Sequence, residues 1–202
     1  MARRVCVCDL IPALKTGTPV LLMTHRYERR RSSNTGRLLE LALSQATVRV
    51  YGLAPGDDAL EGSEAPPVWL LHPGADAEVL GPADAGARPT LVVPDGSWRQ
   101  TRRWLRRHGG APGLRRVTLP EGPPTAYQLR SDGRPGYLST FEAVVRALAL
   151  LGEDPAVEEE LMRLFRVVVD RTLWTRGLLP AEEVSGGVPP RRPPRSAPAE
   201  PH

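Results

Sequence analysis

Leu91 to Arg107 reads LVVPDGSWRQTRRWLRR, an apolar run ending on an aspartate, a glycine, and then a segment rich in arginine. Leu91, Val92 and Val93 have the composition of a strand buried on both faces of a parallel sheet, which puts Asp95 at the carboxyl end of that strand. Gly96 supplies a tight bend. Ser97 and Gln100 have capping-box spacing, so a helix is predicted to begin near Ser97. On it Arg99, Arg102, Arg103, Arg106 and Arg107 fall at i, i+3, i+4, i+7 and i+8, one helical face, with Trp98, Thr101 and Leu105 as the packing stripe opposite. The carboxyl end of a strand and the amino terminus of the helix after it form the edge where open α/β folds bind ligands.

A cationic helix face also occurs as plain solvated surface, and an aspartate ahead of a helix also serves as a cap. A solvated face usually mixes signs to gain i,i+4 pairs, whereas no acidic residue lies between Gly96 and Gly113. Like charges at those spacings repel, so a polyanionic partner accounts for the row better. A second basic cluster holds Arg26, Arg29, Arg30, Arg31 and Arg37.

With 202 residues, 41% of them hydrophobic, the chain can form one domain of ordinary size with a sizeable core. Its formal net charge is +4, and the stretch after Pro180 balances three arginines with three glutamates, so the excess lies in the body. No apolar stretch approaches the ~20 residues that span a bilayer, and the amino terminus has no apolar signal segment; the expectation is a cytoplasmic protein without a membrane partner. Cys6 and Cys8 are the only cysteines. A bridge across one residue would be strained and two thiols fall short of a tetrahedral zinc set. Reduced thiols and no metal are expected, even with His25 and His72 as further ligand candidates.

The remaining segments alternate. Thr18 to Thr24 reads as a buried strand, Asn34 as the cap of a short helix bearing Leu38, Leu39, Leu41 and Ala42, Thr47 to Tyr51 as a strand near an edge, and Val68 to Leu71 as another apolar strand. Ala75 to Pro89, rich in alanine and broken by glycine and proline, supports a short helix plus loop. Leu114 to Leu119 makes a fifth strand, followed by a long loop from Pro120 to Leu138. Ser139 and Glu142 repeat the capping-box spacing before a buried helix, Ala143 to Leu151, so Glu142 has a capping role available to it. A last helix is predicted from Pro155 to Trp174, with Leu161, Leu164, Phe165, Val168 and Leu173 on its apolar side. The expected fold is α/β, a mostly parallel sheet with flanking helices. The division is a leader over 1–17, a domain over 18–179, and a proline-rich tail over 180–202 expected to be disordered.

Four ordered blocks resemble the DTW-domain family. Asp95-Gly96-Ser97-Trp98 is similar to its signature, with serine where threonine is usual; Cys6-Val7-Cys8 with Ile11-Pro12 resembles its leader; Ser33 to Leu38, SNTGRL, resembles a second block; and Tyr127-x-Leu129-Arg130 with Leu138-Ser139-Thr140-x-Glu142-Ala143 resembles its YxLR and STxEA blocks. Together they extend over roughly residues 5 to 170. Relatives often carry a CxxC pair ahead of the cysteine-x-cysteine, which would complete a four-thiol site; only four residues precede Val5 here, which weighs against metal.

The resemblance implies a tRNA-uridine aminocarboxypropyltransferase, moving the 3-amino-3-carboxypropyl group of S-adenosyl-L-methionine to the uracil ring nitrogen between the carbonyls. It implies kinship with the SPOUT class, a SPOUT-like fold with a knot at the carboxyl-terminal side. Asp95 would be catalytic, as general base or as the group that orients the uracil imide. Gly96, Ser97, Trp98, Tyr127, Arg130, Leu138, Ser139, Thr140 and Glu142 would bind the cofactor, Arg130 through its fork on the carboxylate of the transferred arm. Trp98 would either pack beneath its helix or face a base. Arg29, Arg30, Arg31, Asn34, Arg37, Arg99, Arg102, Arg103, Arg106 and Arg107 would contact tRNA, chiefly its phosphates. The sulfonium is already activated, so no metal is required, and no obligate protein partner is evident. Two other readings share these features: a non-catalytic RNA-binding module, and an S-adenosylmethionine-dependent RNA methyltransferase.

Overall fold

Asp95 ends the strand at the centre of the sheet. The structure, a computed structural model, describes residues 5–31, 34–54, 56–57, 59–60, 67–127, 129 and 138–189. Its strands are β1 (Val20–His25), β2 (Ala46–Tyr51), β3 (Val68–Leu71), β4 (Glu78–Val79), β5 (Thr90–Asp95) and β6 (Leu114–Thr118). They form one sheet in the order β2-β1-β5-β3-β6-β4, every pairing parallel. The helices are α1 (Gly36–Ala42), α2 (Trp98–His108), α3 (Thr140–Leu150) and α4 (Pro155–Thr175).

Side chains alternate across the strands, and the two faces meet different helices. Val20 and Leu22 of β1, with Leu91 and Val93 of β5, face the larger core, filled by Leu38 and Leu39 of α1, Phe141 and Val145 of α3, and Leu161 and Phe165 of α4. Phe141 and Phe165 stack there with ring centroids 5.0 Å apart, a pairing worth about 0.5–1.5 kcal/mol beyond its buried area. Leu21 and Met23, with Val92 and Leu70, face a smaller core that Trp104 of α2 closes. The result is an α/β fold with helices on both faces. From β1 the chain moves outward through α1 to β2, and from β5 it moves the other way through α2 to β6. The β1–β5 crevice is therefore the topological switch point, where such sheets bind ligands at the carboxyl ends of their strands.

Four expectations need correction. Trp98 does not join the packing stripe: it is exposed, and Trp104 is buried with Thr101 in its place, because Trp104, one turn beyond Thr101, packs on Leu21, Met23, Leu70 and Val92 of the strands while Trp98, at the helix's first position, stands beside His72 after β3. Asn34 precedes the cap position, which is Thr35, and the helix there starts at Gly36. Ala75 to Pro89 contains β4 and a single 3₁₀ turn, Pro82–Asp84. This unpromising segment is organised by Arg115 of β6, which bonds Glu78 at 2.8 Å and Asp84 at 2.7 Å and lies 4.2 Å over the Trp69 ring. Finally, packing continues beyond Pro180: Val184 is buried, the Ser185 amide donates to Asp170 at 3.0 Å, and Arg171 donates to the carbonyls of Gly186, Gly187 and Cys6. The same arginine thereby joins the two ends of the chain, and Val5 and Val7 of the leader are buried. Residues 190–202 of the tail, like 1–4 of the leader, lie outside the described residues.

Candidate functional site

The Asp95 carboxylate joins three distant segments. Its Oδ2 accepts from the Asn34 amide at 2.7 Å and from the Thr24 hydroxyl at 3.2 Å, and its Oδ1 accepts from the Thr140 hydroxyl at 2.9 Å. Thr24 is the register partner of Asp95 on the neighbouring strand. Both side chains point to the α1–α3 face, as strand alternation requires. Asn34 arrives on the loop after β1 and Thr140 is the first residue of α3. Gly36 lies so close that a Cβ there would sit 3.1 Å from Asp95 Oδ2. A carboxylate has about four lone-pair positions. Three hydrogen bonds occupy Oδ2 twice and Oδ1 once, so the open acceptor position is on Oδ1.

Glu142 holds the other side of this arrangement. Its carboxylate, almost wholly buried, accepts from the amide and hydroxyl of Ser139 at 3.1 and 2.8 Å, from the Thr125 hydroxyl at 2.7 Å and from the Ala126 amide at 2.7 Å. Expected on the cofactor, this carboxylate is instead occupied in capping α3 and fastening the 125–126 loop to it. Tyr127 follows, its ring stacked on Phe165 at 5.9 Å, so the ring packs on the core. Leu138, Ser139 and Thr140 are partly buried at the start of α3. Arg130 and Ser33 lie outside the described residues.

Two cavities flank β1. One of about 110 Å³, beside the Asp95 cluster, is lined by Thr24, Asn34, Arg29, Arg37, Glu40, Val48 and Val50. The other, about 590 Å³, lies on the α2 face of the sheet between the loops after β1 and β2 and the arginine row; Arg99, Arg103 and Arg107 line it with Arg26, His25, Tyr27 and Tyr51. Burial, reinforced by Arg26 and Arg103, pushes the His25 imidazole below its usual range against the opposing pull of Glu28 and Asp57. Desolvation acts to raise Asp57, but the amides of Ala54, Gly52 and Leu53 outweigh it and hold the carboxyl low, helped by Arg26.

The expected site residues therefore divide. Asp95, Asn34 and Thr140 meet; Arg29 and Arg37 line the small cavity beside them. Gly96 and Ser97 form the turn into α2, where Gln100 reaches back to the Ser97 amide at 2.7 Å and a Cβ on Gly96 would crowd Gln100 at 3.2 Å. Trp98 stands against the edge of His72, ring centroids 5.8 Å apart. Arg102 and Arg106 are exposed away from both cavities, Arg30 is exposed, and Arg31 pairs with buried Glu28 at 3.2 Å. Thr24, Tyr27 and Tyr51 were not singled out in the sequence. Only Thr24 carries a usable signal, since in a parallel pair the residue alternating in phase with Leu22 at the strand's end faces the same side as Asp95.

Among the described residues no group of three or more metal-type side chains occurs, and no helix is long and apolar enough to cross a membrane. Cys6 and Cys8 are free thiols with sulfurs 3.1 Å apart.

A family model described as DTW domain matches residues 1–173. The tRNA-uridine aminocarboxypropyltransferase 2 of Drosophila melanogaster is 29% identical over 168 residues, which cover 79% of this chain and 67% of that protein. The protein of the same name from Macaca fascicularis is 25% identical over 171 residues, 80% of this chain and 57% of its own length. The chain thus spans little more than half to two thirds of the length of these relatives. No solved structure matches.

Proposed function

The chain belongs to the DTW-domain family, and from that membership we propose that it transfers the 3-amino-3-carboxypropyl group of S-adenosylmethionine to the imide nitrogen of a uridine in tRNA, releasing methylthioadenosine. The observation that carries the reading is the convergence of Asn34, Asp95 and Thr140, from three family-like blocks, on one buried carboxylate at the switch point of the sheet. The names of the two relatives support the reaction and the tRNA substrate.

Bound at this site, S-adenosylmethionine supplies a sulfonium carbon open to attack and a neutral thioether leaving group. The chain's own residues do the rest. Asp95 Oδ1, with its open acceptor position, takes the uracil imide N–H and, as the new N–C bond forms, its proton. Asn34, Thr24 and Thr140 hold the carboxylate rigid, so the imide is aimed rather than merely bound; in-line approach within ~3–3.5 Å is what such positioning contributes. The neighbouring cavity of about 110 Å³ is well below the ~300–1,000 Å³ of drug-sized sites. It suits a pyrimidine ring, with Arg29 and Arg37 for the flanking phosphates. The cofactor then falls to the Leu138–Thr140 turn and to Trp98, with Arg130 on the carboxylate of the transferred arm.

A SPOUT-like fold, knotted at its carboxyl-terminal side, belongs to the same proposal. It rests on the resemblance to the DTW-domain family. A cytoplasmic setting belongs to the proposal as well, where tRNA is the polyanion for the arginine row.

The test is mass spectrometry of tRNA nucleosides and of the cofactor by-product after incubation of the full chain with S-adenosylmethionine. Aminocarboxypropyluridine and methylthioadenosine in equal amounts are expected, with kcat lowered about 10²–10⁴-fold in Asp95→Asn. Methylated nucleoside with S-adenosylhomocysteine would replace the reading by a methyltransferase, and tRNA binding without any product by a binding module.

A further inference from the structure

We propose that the cleft on the α2 face docks a second nucleotide of the RNA strand, a neighbour of the reacting uridine, with its phosphate on Arg99 and Arg103 and its base on the layer formed by Tyr27 and Arg26. The inference rests on an RNA substrate and adds where the strand runs. Its volume, about 590 Å³, accommodates a whole nucleotide. Thr24 and His25 are successive residues of β1; Thr24 bonds Asp95 on one face and His25 lines the cleft on the other. The two spaces back onto the end of a single strand, and an RNA chain with one base beside Asp95 passes over that end into the cleft.

Charge decides what the cleft takes. Among the described residues, four arginines line it against one acid, Asp57, whose carboxylate is already occupied by the amides of Gly52, Leu53 and Ala54 at 2.9, 2.6 and 2.7 Å. Arg99 and Arg103 make no ion pair or hydrogen bond among the described residues. Such a wall repels a sulfonium and attracts phosphate, so the cleft is matched to a phosphorylated nucleotide and mismatched to S-adenosylmethionine.

The aromatic groups supply the other half. Tyr27 is 57% exposed, so its ring is accessible to a base entering the cleft. The Arg26 guanidinium lies 4.5 Å over the ring and donates to the Tyr27 hydroxyl at 2.6 Å, which fixes a flat cationic layer. His25 stands 5.3 Å from Tyr27 and 5.1 Å from Tyr51, bracing the layer from below. A basic groove with a stacking layer is how proteins hold single-stranded nucleic acid without reading its sequence.

The experiment is an equilibrium titration of the full chain, without S-adenosylmethionine, against a fluorescein-labelled 5′-phosphorylated oligouridylate at several salt concentrations. Competitors are uridine 5′-monophosphate, inorganic phosphate and S-adenosylmethionine. Tyr27→Ala is expected to weaken binding about ten-fold, Tyr27→Phe to stay within about two-fold, and Arg103→Ala to lessen the salt slope by about 0.7. Arg163→Ala, on the far surface of α4, serves as the unaffected control. Uridine monophosphate should compete better than phosphate, and S-adenosylmethionine not at all. Wild-type affinity in both Tyr27→Ala and Arg103→Ala, equal competition by phosphate, or displacement by S-adenosylmethionine would each overturn the proposal. Because no turnover is read, a failed transferase assay leaves these outcomes legible.

Discussion

Asn34 donates its side-chain amide to Asp95 Oδ2 at 2.7 Å across 61 positions of sequence, while its carbonyl accepts the Arg37 amide at 3.3 Å. One side chain therefore steadies the start of α1 and aims the carboxylate of β5. Asn34→Asp keeps the acceptor for Arg37 and replaces the donor with a second carboxylate. It is expected to cost about 2 kcal/mol in urea unfolding and to lower product formation more than it lowers tRNA binding. Unchanged turnover in this variant would remove Asn34 from the aiming of Asp95.

Gly36 yields a second test of the same carboxylate. An added Cβ would lie 3.1 Å from Asp95 Oδ2 and 3.3 Å from Asn34 Oδ1, and Asp95 cannot retreat without loosening Thr24, Asn34 or Thr140. Alanine would ordinarily gain up to about 1 kcal/mol over glycine within a helix. Here the crowding should win, with Gly36→Ala less stable than wild type by about 1 kcal/mol and impaired in kcat. A stabilised variant with full activity would show that the carboxylate has slack.

How much of this was legible depended on whether local pattern or tertiary contact made the feature. The β5–α2 turn was readable because β-branched residues, a glycine and a capping pair all act within ten residues of one another. Asn34 was noticed as a cap, but its amide reaches a residue on another strand, which no local spacing reveals. β4 escapes local pattern because it is only two residues long, Glu78–Val79, and Glu78 is held by Arg115 from another strand. The pattern puts Trp98 in the packing stripe and leaves Trp104 out of it, because helical periodicity gives a face and not which turn of the helix lies against the strands. The Tyr27 layer was invisible for a related reason: an exposed tyrosine acquires meaning only when the topology sets an arginine row opposite.

Glu142 accepts four hydrogen bonds, and glutamine at that position would present an amide to at least one of the donors now satisfied. Glu142→Gln should lose about 1–3 kcal/mol of stability and speed hydrogen exchange at Ala126 and Tyr127, since those amides lie on the loop that it fastens. Normal exchange there would place the loop's restraint elsewhere, in the Tyr127 stack on Phe165.

The packed segment beyond Pro180 makes a prediction about truncation. A chain ending at Val188 keeps Val184, the Ser185 bond to Asp170 and the Arg171 bonds to Gly186 and Gly187; a chain ending at Pro180 loses all of them. Burial of a valine contributes roughly 1.5–3 kcal/mol, and Arg171 would be left short of partners. Thermal unfolding should show the chain ending at Val188 near wild type and the chain ending at Pro180 clearly lower. Equal melting temperatures would mean that the segment is held without stabilising the body.

The pH dependence of stability should be carried by two histidines. Burial, with Arg116 and Arg102 nearby, outweighs the backbone bond at Pro73 and lowers the His72 pKa from 6.5; burial and Arg26 lower that of His25 in the same way. The unfolded chain therefore takes up these protons at higher pH than the native protein does. Their contribution to stability is present above 6.5 and is lost as the pH falls from 6.5 through the depressed native values. Asp84, held low chiefly by Arg115, and Asp57, held low by backbone amides, behave alike in direction but act from about 3.8 downward. Urea unfolding at pH 7, 6 and 5 should thus show a decline that belongs to the imidazoles, and the double variant His25→Asn, His72→Asn should flatten it. A wild-type stability that rises on acidification across that interval would contradict both assignments, because protonation would then favour the folded state.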